Sequence, residues 1–267
     1  MPTADVAGTA LHYTSAGSGP PLLLIHGTGA DAGAFDAVVG DLAQTYTVIA
    51  YDRRAFSRSK AKPHAPQNYL AAHGADAAGL LRALGAGPAH VLGWSAGGLV
   101  GLALAMQHPE LIKSLLLYEP PYLVKSNANI GFTFSFIQIM ALRAFGLKRA
   151  AAAKFFRTVL ARRGGRNDFD ALPPTLRDTM LATAPALLAE LDGGTGEEFD
   201  TAALRAVRAP VSLLVGTHSA RIFAPAAERV AKAVPIVRRA SAPDAGHIMQ
   251  VTDPKGFTRI VRDLLSG

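Results

Sequence analysis

Short runs of β-branched and aliphatic residues alternate along this chain with longer Ala/Leu-rich stretches of helical period, and that alternation leaves few folds open. Strand and helix in succession is the pattern of a parallel sheet whose strands are joined by crossover helices. A pair of N-terminal strands is expected around Val6 and over 11–14, then strands over 22–26, 46–51, 90–94 and 112–118, with helices over 34–42, 69–84 and 98–107. The rhythm then stops. From 125 to 207 the sequence predicts only helices, separated by Gly164-Gly165, Pro173-Pro174 and Gly193-Gly194. It resumes with a strand over 211–216, a helix over 225–233, a strand over 236–239 and a closing helix over 253–265. The expected organisation is an α/β core formed by 1–124 and 208–267, with a helical lid inserted at 125–207. Long insertions into compact domains are usually functional.

A chain of 267 residues suits one large domain of this kind. With 49% hydrophobic and 18% charged residues it can fill a sheet buried on both faces and still cover its surface, which argues against disorder. The absence of cysteine excludes disulfides, cysteine nucleophiles and thiolate metal sites. The start, Met1-Pro2-Thr3-Ala4-Asp5, shows no basic segment followed by an apolar run, so no secretory leader is expected and the cytoplasm is the expected compartment. The uncharged stretch over 126–142 contains Asn and Gln and falls short of the roughly 20 apolar residues of a membrane span. Net charge is +7, but its basic residues (Arg53, Arg54, Arg58; Arg162, Arg163, Arg166; Arg238, Arg239) are not interleaved with aromatics. They read as a solvated basic face, not as a nucleic-acid surface.

The chemistry concentrates at Gly93-Trp94-Ser95-Ala96-Gly97, which follows the apolar Val91-Leu92 and precedes the helix-forming Gly98-Leu99-Val100-Gly101-Leu102. Such a context puts a serine at the tip of a strained strand-to-helix turn, with small residues two places to either side so that neighbouring backbone can pass. At the start of a helix, unpaired N–H groups and the positive end of the helix dipole converge and stabilise an oxyanion. The Ala96 N–H is the natural first donor.

The segment Leu22-Leu23-Leu24-Ile25-His26-Gly27-Thr28-Gly29, the turn Asp52-Arg53-Arg54-Ala55-Phe56-Ser57-Arg58-Ser59 and the serine turn together resemble the α/β-hydrolase superfamily. The resemblance implies a mostly parallel central sheet flanked by helices, with the lid inserted between strands. It also implies that the residue after His26-Gly27, Thr28, supplies a second oxyanion donor through its backbone N–H. The family usually has glycine where this chain has Ala55. A serine needs a base, which comes late in the chain if the order is Ser, acid, His. Of eight histidines, His247 ends a loop, Ser241-Ala242-Pro243-Asp244-Ala245-Gly246-His247, that resembles the family's catalytic histidine loop. Most relatives carry the acid after the strand that follows the lid, but Gly216-Thr217-His218-Ser219-Ala220-Arg221 contains no carboxylate. Some branches carry it after the strand preceding the lid, which makes Glu119, in Leu117-Tyr118-Glu119-Pro120-Pro121, the candidate. Both strand ends lie on the carboxyl edge of the sheet, so either can reach the imidazole. Asp244 is the rival, but it precedes His247 by so short a separation that side-chain pairing is hard to form.

Dehalogenases and epoxide hydrolases of this fold have aspartate at the turn, so Ser95 argues for acyl transfer. The expected activity is a serine hydrolase cleaving a small-molecule carboxylic ester, lactone or thioester with an apolar acyl part, through an acyl-serine intermediate. No metal or organic cofactor is expected, and no Gly-rich loop suited to phosphates is visible. Phe132, Phe134, Phe136 and Met140 are candidates for the wall of the substrate site, although they serve equally well to bury the lid on the core. Trp94 is expected to pack beneath the turn. Two alternatives stay open: lyase, acyltransferase, perhydrolase or cofactor-free oxygenase chemistry on the same residues, or a receptor-like binding module with little turnover.

Overall fold

A computed structural model of the protein describes residues 2–64, 66–122, 130–193 and 201–266. Lys125 and Gly194, which mark expected boundaries of the inserted segment and of its helices, lie outside them. Eight strands form one sheet: β1 (Thr3–Val6), β2 (Thr9–Ala16), β3 (Pro21–Ile25), β4 (Thr47–Tyr51), β5 (Ala89–Trp94), β6 (Ile112–Tyr118), β7 (Val211–Gly216) and β8 (Val237–Ala242), in the order β1-β2-β4-β3-β5-β6-β7-β8. The β1–β2 and β2–β4 pairs are antiparallel and the rest are parallel. β8 runs three residues beyond its expected end at 239. It is an edge strand whose Arg238 and Arg239 are exposed, so its polar sequence conceals the pairing with β7.

The strand period of two divides the core cleanly. Leu23, Ile25, Val91, Leu115, Leu117 and Leu213 point to one face, where α2 (Tyr69–Ala83), α3 (Ala96–Gln107) and α9 (Phe223–Ala233) cover them. Leu22, Leu24, Leu92, Leu116 and Leu214 point to the other, under α1 (Asp36–Leu42) and α11 (Pro254–Leu265). Both faces being buried explains why these strands read as continuous apolar runs. A short helix that the sequence did not suggest, α10 (Met249–Thr252), leads into α11, whose N-cap Asp253 accepts the Gly256 N–H.

Between β6 and β7 the described chain is helical: α4 (Ile130–Ala144), α5 (Lys148–Val159), α6 (Pro174–Ala182), α7 (Ala184–Gly193) and α8 (Thr201–Leu204). Phe156 and Leu187 of this segment belong to the same apolar cluster as Leu22 and Leu24, so the inserted helices extend the core instead of hovering over it. They also clamp the loop after β3. Thr183 Oγ1 donates to the Gly29 carbonyl at 2.7 Å, and Gly29, at φ 68°, has no room for a Cβ, which would lie 2.5 Å from Phe156. None of the described helices is long and apolar enough to cross a membrane.

The sheet order reverses at β3, because β4 lies on one side of it and β5 on the other. Loops leaving the carboxyl ends of β3 and β5 therefore diverge and open a crevice, where open α/β sheets bind ligands. The turn after β4 borders it. Asp52 accepts the Arg58 guanidinium and the Ala32 and Arg58 N–H groups, which outweigh the effect of burial and hold its carboxyl below the usual carboxylate range. Within this turn Ala55 adopts φ 71°, the left-handed region that glycine enters freely. That conformation costs an L-residue roughly 1–2 kcal/mol, partly offset by the smaller unfolded-state entropy of alanine. Ala55→Gly is expected to raise stability by about 0.5–1 kcal/mol, read as a higher urea midpoint at unchanged m-value; a lower midpoint would show that the turn carries no strain at this residue.

Candidate active site

Ser95 caps α3 at φ 54° and ψ −126°, a conformation no helix or strand residue adopts. The turn is held from both sides: the Ser95 N–H donates to the Tyr118 carbonyl at 2.9 Å, and the Ser95 carbonyl accepts the Gly98 N–H at 2.8 Å. Glycines make it possible. A Cβ on Gly27 would lie 2.9 Å from that of Ser95, one on Gly93 would strike the Gly97 carbonyl, and one on Gly97 would strike the Ile25 carbonyl. Among the described residues neither the Thr28 nor the Ala96 N–H donates a hydrogen bond, so both remain available at the crevice beside Ser95.

His247 and Glu119 meet although 128 residues separate them. His247 Nδ1 donates to Glu119 Oε2 at 2.5 Å, with both side chains buried. Glu119 Oε1 accepts the Gly216 N–H at 2.7 Å, so the carboxylate that follows β6 is tied to the end of β7. Asp244 is turned away, with its side chain 92% exposed and Oδ1 3.6 Å from His218. Three aromatics that the sequence did not assign to the site fix the imidazole. Trp94 Nε1 donates to the His247 carbonyl at 2.7 Å, Tyr118 Oη donates to the Gly246 carbonyl, and Phe223 stacks on the His247 ring at 3.8 Å between centroids. Burial, and then the neighbouring Glu119, push the Tyr118 phenol up and keep it a donor. The signal for two of them was adjacency, because Trp94 and Tyr118 immediately precede Ser95 and Glu119.

The Ser95 hydroxyl and the His247 ring line one small cavity of about 10 Å³ together with Thr28, and no hydrogen bond joins them among the described residues. Hydrogen bonds of this kind are often long in ligand-free sites and tighten on binding. A larger apolar cavity of about 70 Å³ also opens on Ser95 and Thr28. Phe132, Phe136 and Ile139 of α4 line it, on one helical face. Phe134 lies on the opposite face, 60% exposed, and Met140 does not line the cavity, so the helical period retains two of the four expected wall residues and substitutes Ile139. Further walls come from Phe155 and Val159 of α5 and from Ile222 and Phe223.

Two supports lie behind these groups. His26 accepts the Arg53 N–H at Nε2 and so carries its proton on Nδ1, which donates to the Gly27 carbonyl and shapes the loop before Thr28. Burial, with the charge of Arg53, lowers its pKa to about 3. Arg53, expected on a solvated face, is instead fully buried, and its guanidinium grips Glu190 of α7 in a two-pronged pair at 2.7 and 3.1 Å. Burial works against its charge, but the Glu190 carboxylate more than restores it. Sequence spacing gave no hint of this contact, because 137 residues separate the partners.

The chain matches the alpha/beta hydrolase family over residues 22–260. It belongs to that family. Among its relatives, an uncharacterized hydrolase, YraK, of Bacillus subtilis (strain 168) is 40% identical over 127 residues, 48% of this chain and 47% of that protein. The chain spans about half the length of the curated relatives it matches. A thermophilic esterase from Thermogutta terrifontis superposes with a TM-score of 0.78 at 25% identity, covering 99% of this chain and 96% of that one. The enol-lactonase from Burkholderia xenovorans LB400 shares the fold, with a TM-score of 0.77 at 23% identity and full coverage of both chains, 100% and 100%.

In this member of the family one described cluster has metal-ligating side chains, His64, His73 and Asp76, with donor atoms within 4.8 Å of one another. Both Asp76 oxygens already bind the Arg54 guanidinium, and His64 adds a further contact, which leaves no unanswered negative charge for a cation. His73 itself is fully buried, and burial, with Arg53 next, holds its pKa well below the usual value. Above pH 6.5 folded and unfolded histidines are alike neutral; below it the unfolded chain binds protons that His26 and His73 refuse. Stability therefore falls with pH below about 6.5, by about 1.4 kcal/mol per pH unit for each such histidine. Urea titrations between pH 6.5 and 4.5 are expected to give a smaller slope for His73→Phe than for the parent, and an equal slope would show that His73 is not held neutral. Separately, Glu190→Ala strands a buried guanidinium and is expected to cost about 3–5 kcal/mol, most of it recovered in Arg53→Met/Glu190→Leu; equal losses in single and double variants would remove the pair from the account.

Proposed function

We propose that this protein is a serine hydrolase that cleaves a carboxylic ester, lactone or thioester with an apolar acyl part through an acyl-serine intermediate. The observation that carries the reading is one juxtaposition: His247, bonded through Nδ1 to the buried Glu119, shares a cavity with Ser95 and Thr28. With Nδ1 engaged, Nε2 is the nitrogen left to act as base. Ser95 Oγ attacks the carbonyl carbon while Nε2 takes its proton, and the Thr28 and Ala96 N–H groups receive the negative oxygen. Nε2 then protonates the leaving alcohol or thiol, or the departing oxygen of an opened lactone, leaving an acyl-Ser95. Water, deprotonated by the same nitrogen, attacks this ester and releases the acid and the serine hydroxyl.

Each supporting group has a place in that cycle. Glu119 steadies the imidazolium, and its second oxygen is fixed by Gly216 so that it cannot swing away. The cavity walls Phe132, Phe136, Ile139 and Phe155 suit a short apolar acyl chain. Serine at position 95, in place of aspartate, favours acyl transfer over alkyl transfer, and an esterase and an enol-lactonase are among the structures that share the fold.

A fluorophosphonate probe is expected to label the protein stoichiometrically and to lose that labelling in Ser95→Ala, whereas an unlabelled parent would favour a binding module. On chromogenic esters of graded acyl length, Glu119→Gln is expected to lower kcat by about 10³–10⁴-fold with little change in stability. Near-normal turnover by Glu119→Gln would exclude its role, and products lacking a free acid would redirect the reading to transfer or lyase chemistry.

A further inference from the structure

Beside the apolar cavity runs a second, wider depression of about 390 Å³, and its lining differs in kind. Five cationic side chains line it, Lys154 and Arg157 from α5, Arg162 and Arg163 from the turn after α5, and Arg221 from the loop before α9, and no acidic residue does. The depression adjoins the active-site cavity, since Phe132, Thr158 and Ile222 line both. Arg157 is paired with Asp170 at 2.8 Å and Arg162 lies 3.6 Å from Asp168. Lys154, Arg163 and Arg221 have no ion-pair partner among the described residues. The turn that carries Arg162 and Arg163 is tied to the core: the Arg163 N–H donates to the His218 carbonyl at 2.8 Å, and the Arg162 side chain donates to the Asp244 carbonyl. Like charges gathered around a concave, partly desolvated surface repel one another and raise the local concentration of anions.

We infer that this groove is an anion subsite, and that the preferred substrate carries a phosphate or carboxylate group on the far side of the scissile ester from the short apolar part held in the cavity. The inference rests on the proposed reading of Ser95 for its orientation, but the subsite itself is a property of the five cations. Guanidinium groups bind phosphate and carboxylate oxygens in pairs, and arginines from two different elements allow contact from two sides. An anionic ester would thus be fixed at both ends, with its apolar chain against Phe132 and Phe136 and its charge against Arg163 and Arg221. A neutral ester of equal length would be held at one end only.

Binding to the full chain bearing Ser95→Ala separates the subsite from the chemistry. Calorimetric titrations would use glycerol phosphate monobutyrate, the butyrate ester of lactate and the neutral glycerol monobutyrate. At least one anionic ester is expected to bind about tenfold or more tightly than the neutral one, and raising salt from about 20 mM to about 0.5 M should erase the difference. Arg163→Ala/Arg221→Ala, and separately Lys154→Met, should shrink the anionic-to-neutral ratio toward one, and in the Ser95-containing parent the same ratio should appear in KM. The stronger of the two anions identifies the group recognised. Equal affinities for charged and neutral esters, or a preference that survives the double substitution and high salt, would overturn the inference. Salt-sensitive binding with no hydrolysis by the parent would leave the subsite standing and bring down the hydrolase reading instead.

Discussion

At Ser95, φ 54°, the two arms of the turn and the end of β3 pass one another more closely than side chains allow. Gly27 brings the loop of β3 against the serine, Gly93 and Gly97 bring the two arms of the turn against each other, and Gly97 also touches the end of β3. A conformation of this sort costs of order 1–3 kcal/mol, and it persists only where the surroundings over-determine it. Here the Tyr118 carbonyl, the Gly98 N–H and the buried helix α3 do so. The Thr28 and Ala96 N–H groups, which donate no hydrogen bond among the described residues, belong to the same crowded junction.

The histidine loop depends on that rim in turn. Successive residues of a strand point to opposite faces, so the residue before each functional one faces the layer beneath α11. Trp94 and Tyr118 occupy those places, and both turn their polar ends onto the carbonyls of the loop that carries His247. The strands that lead to Ser95 and Glu119 therefore also hold the loop that carries His247. Glu119 completes the lock by bridging from β6 to the backbone of β7. Gly216 makes the approach possible, since a Cβ there would lie 2.5 Å from the Ala245 carbonyl.

The parallel sheet, the interruption by helices and the serine turn were legible because each rests on local signals: apolar runs, helical period, glycine spacing. His247 and Glu119 were legible through their resemblance to a known arrangement, and the absence of a carboxylate over 216–221 pointed to the alternative. What escaped the sequence was set by long-range packing. Arg53 looked like one cation of a surface cluster until burial and its partner on α7 were known. Phe134 looked equivalent to Phe132 and Phe136, because composition does not reveal which face of α4 turns inward. Arg163 is exposed as expected, and what the sequence does not show is that the fold brings it and Arg162 beside Arg221, from a loop that follows a different strand.

Arg53 and the cations of the groove lie at the junction between core and inserted helices. The core contributes short, rigid, hydrogen-bonded groups whose positions follow from strand ends, and its chemistry tolerates little movement. The inserted helices contribute aromatic walls from α4 and α5 and cations from α5 and its following turn, none of which needs sub-ångström placement. Arg53 and Glu190 join the two parts, and Glu190 also lines the apolar cavity. Lifting α7 from the core would leave the Arg53 guanidinium buried without its carboxylate, at a cost of several kcal/mol. Arg143 of α4 in turn grips Asp192 of α7 at 2.6 and 2.8 Å, so α4 is tied to the seated helix. The buried ion pair thus fixes α7, and with it one wall of the cavity, to the core.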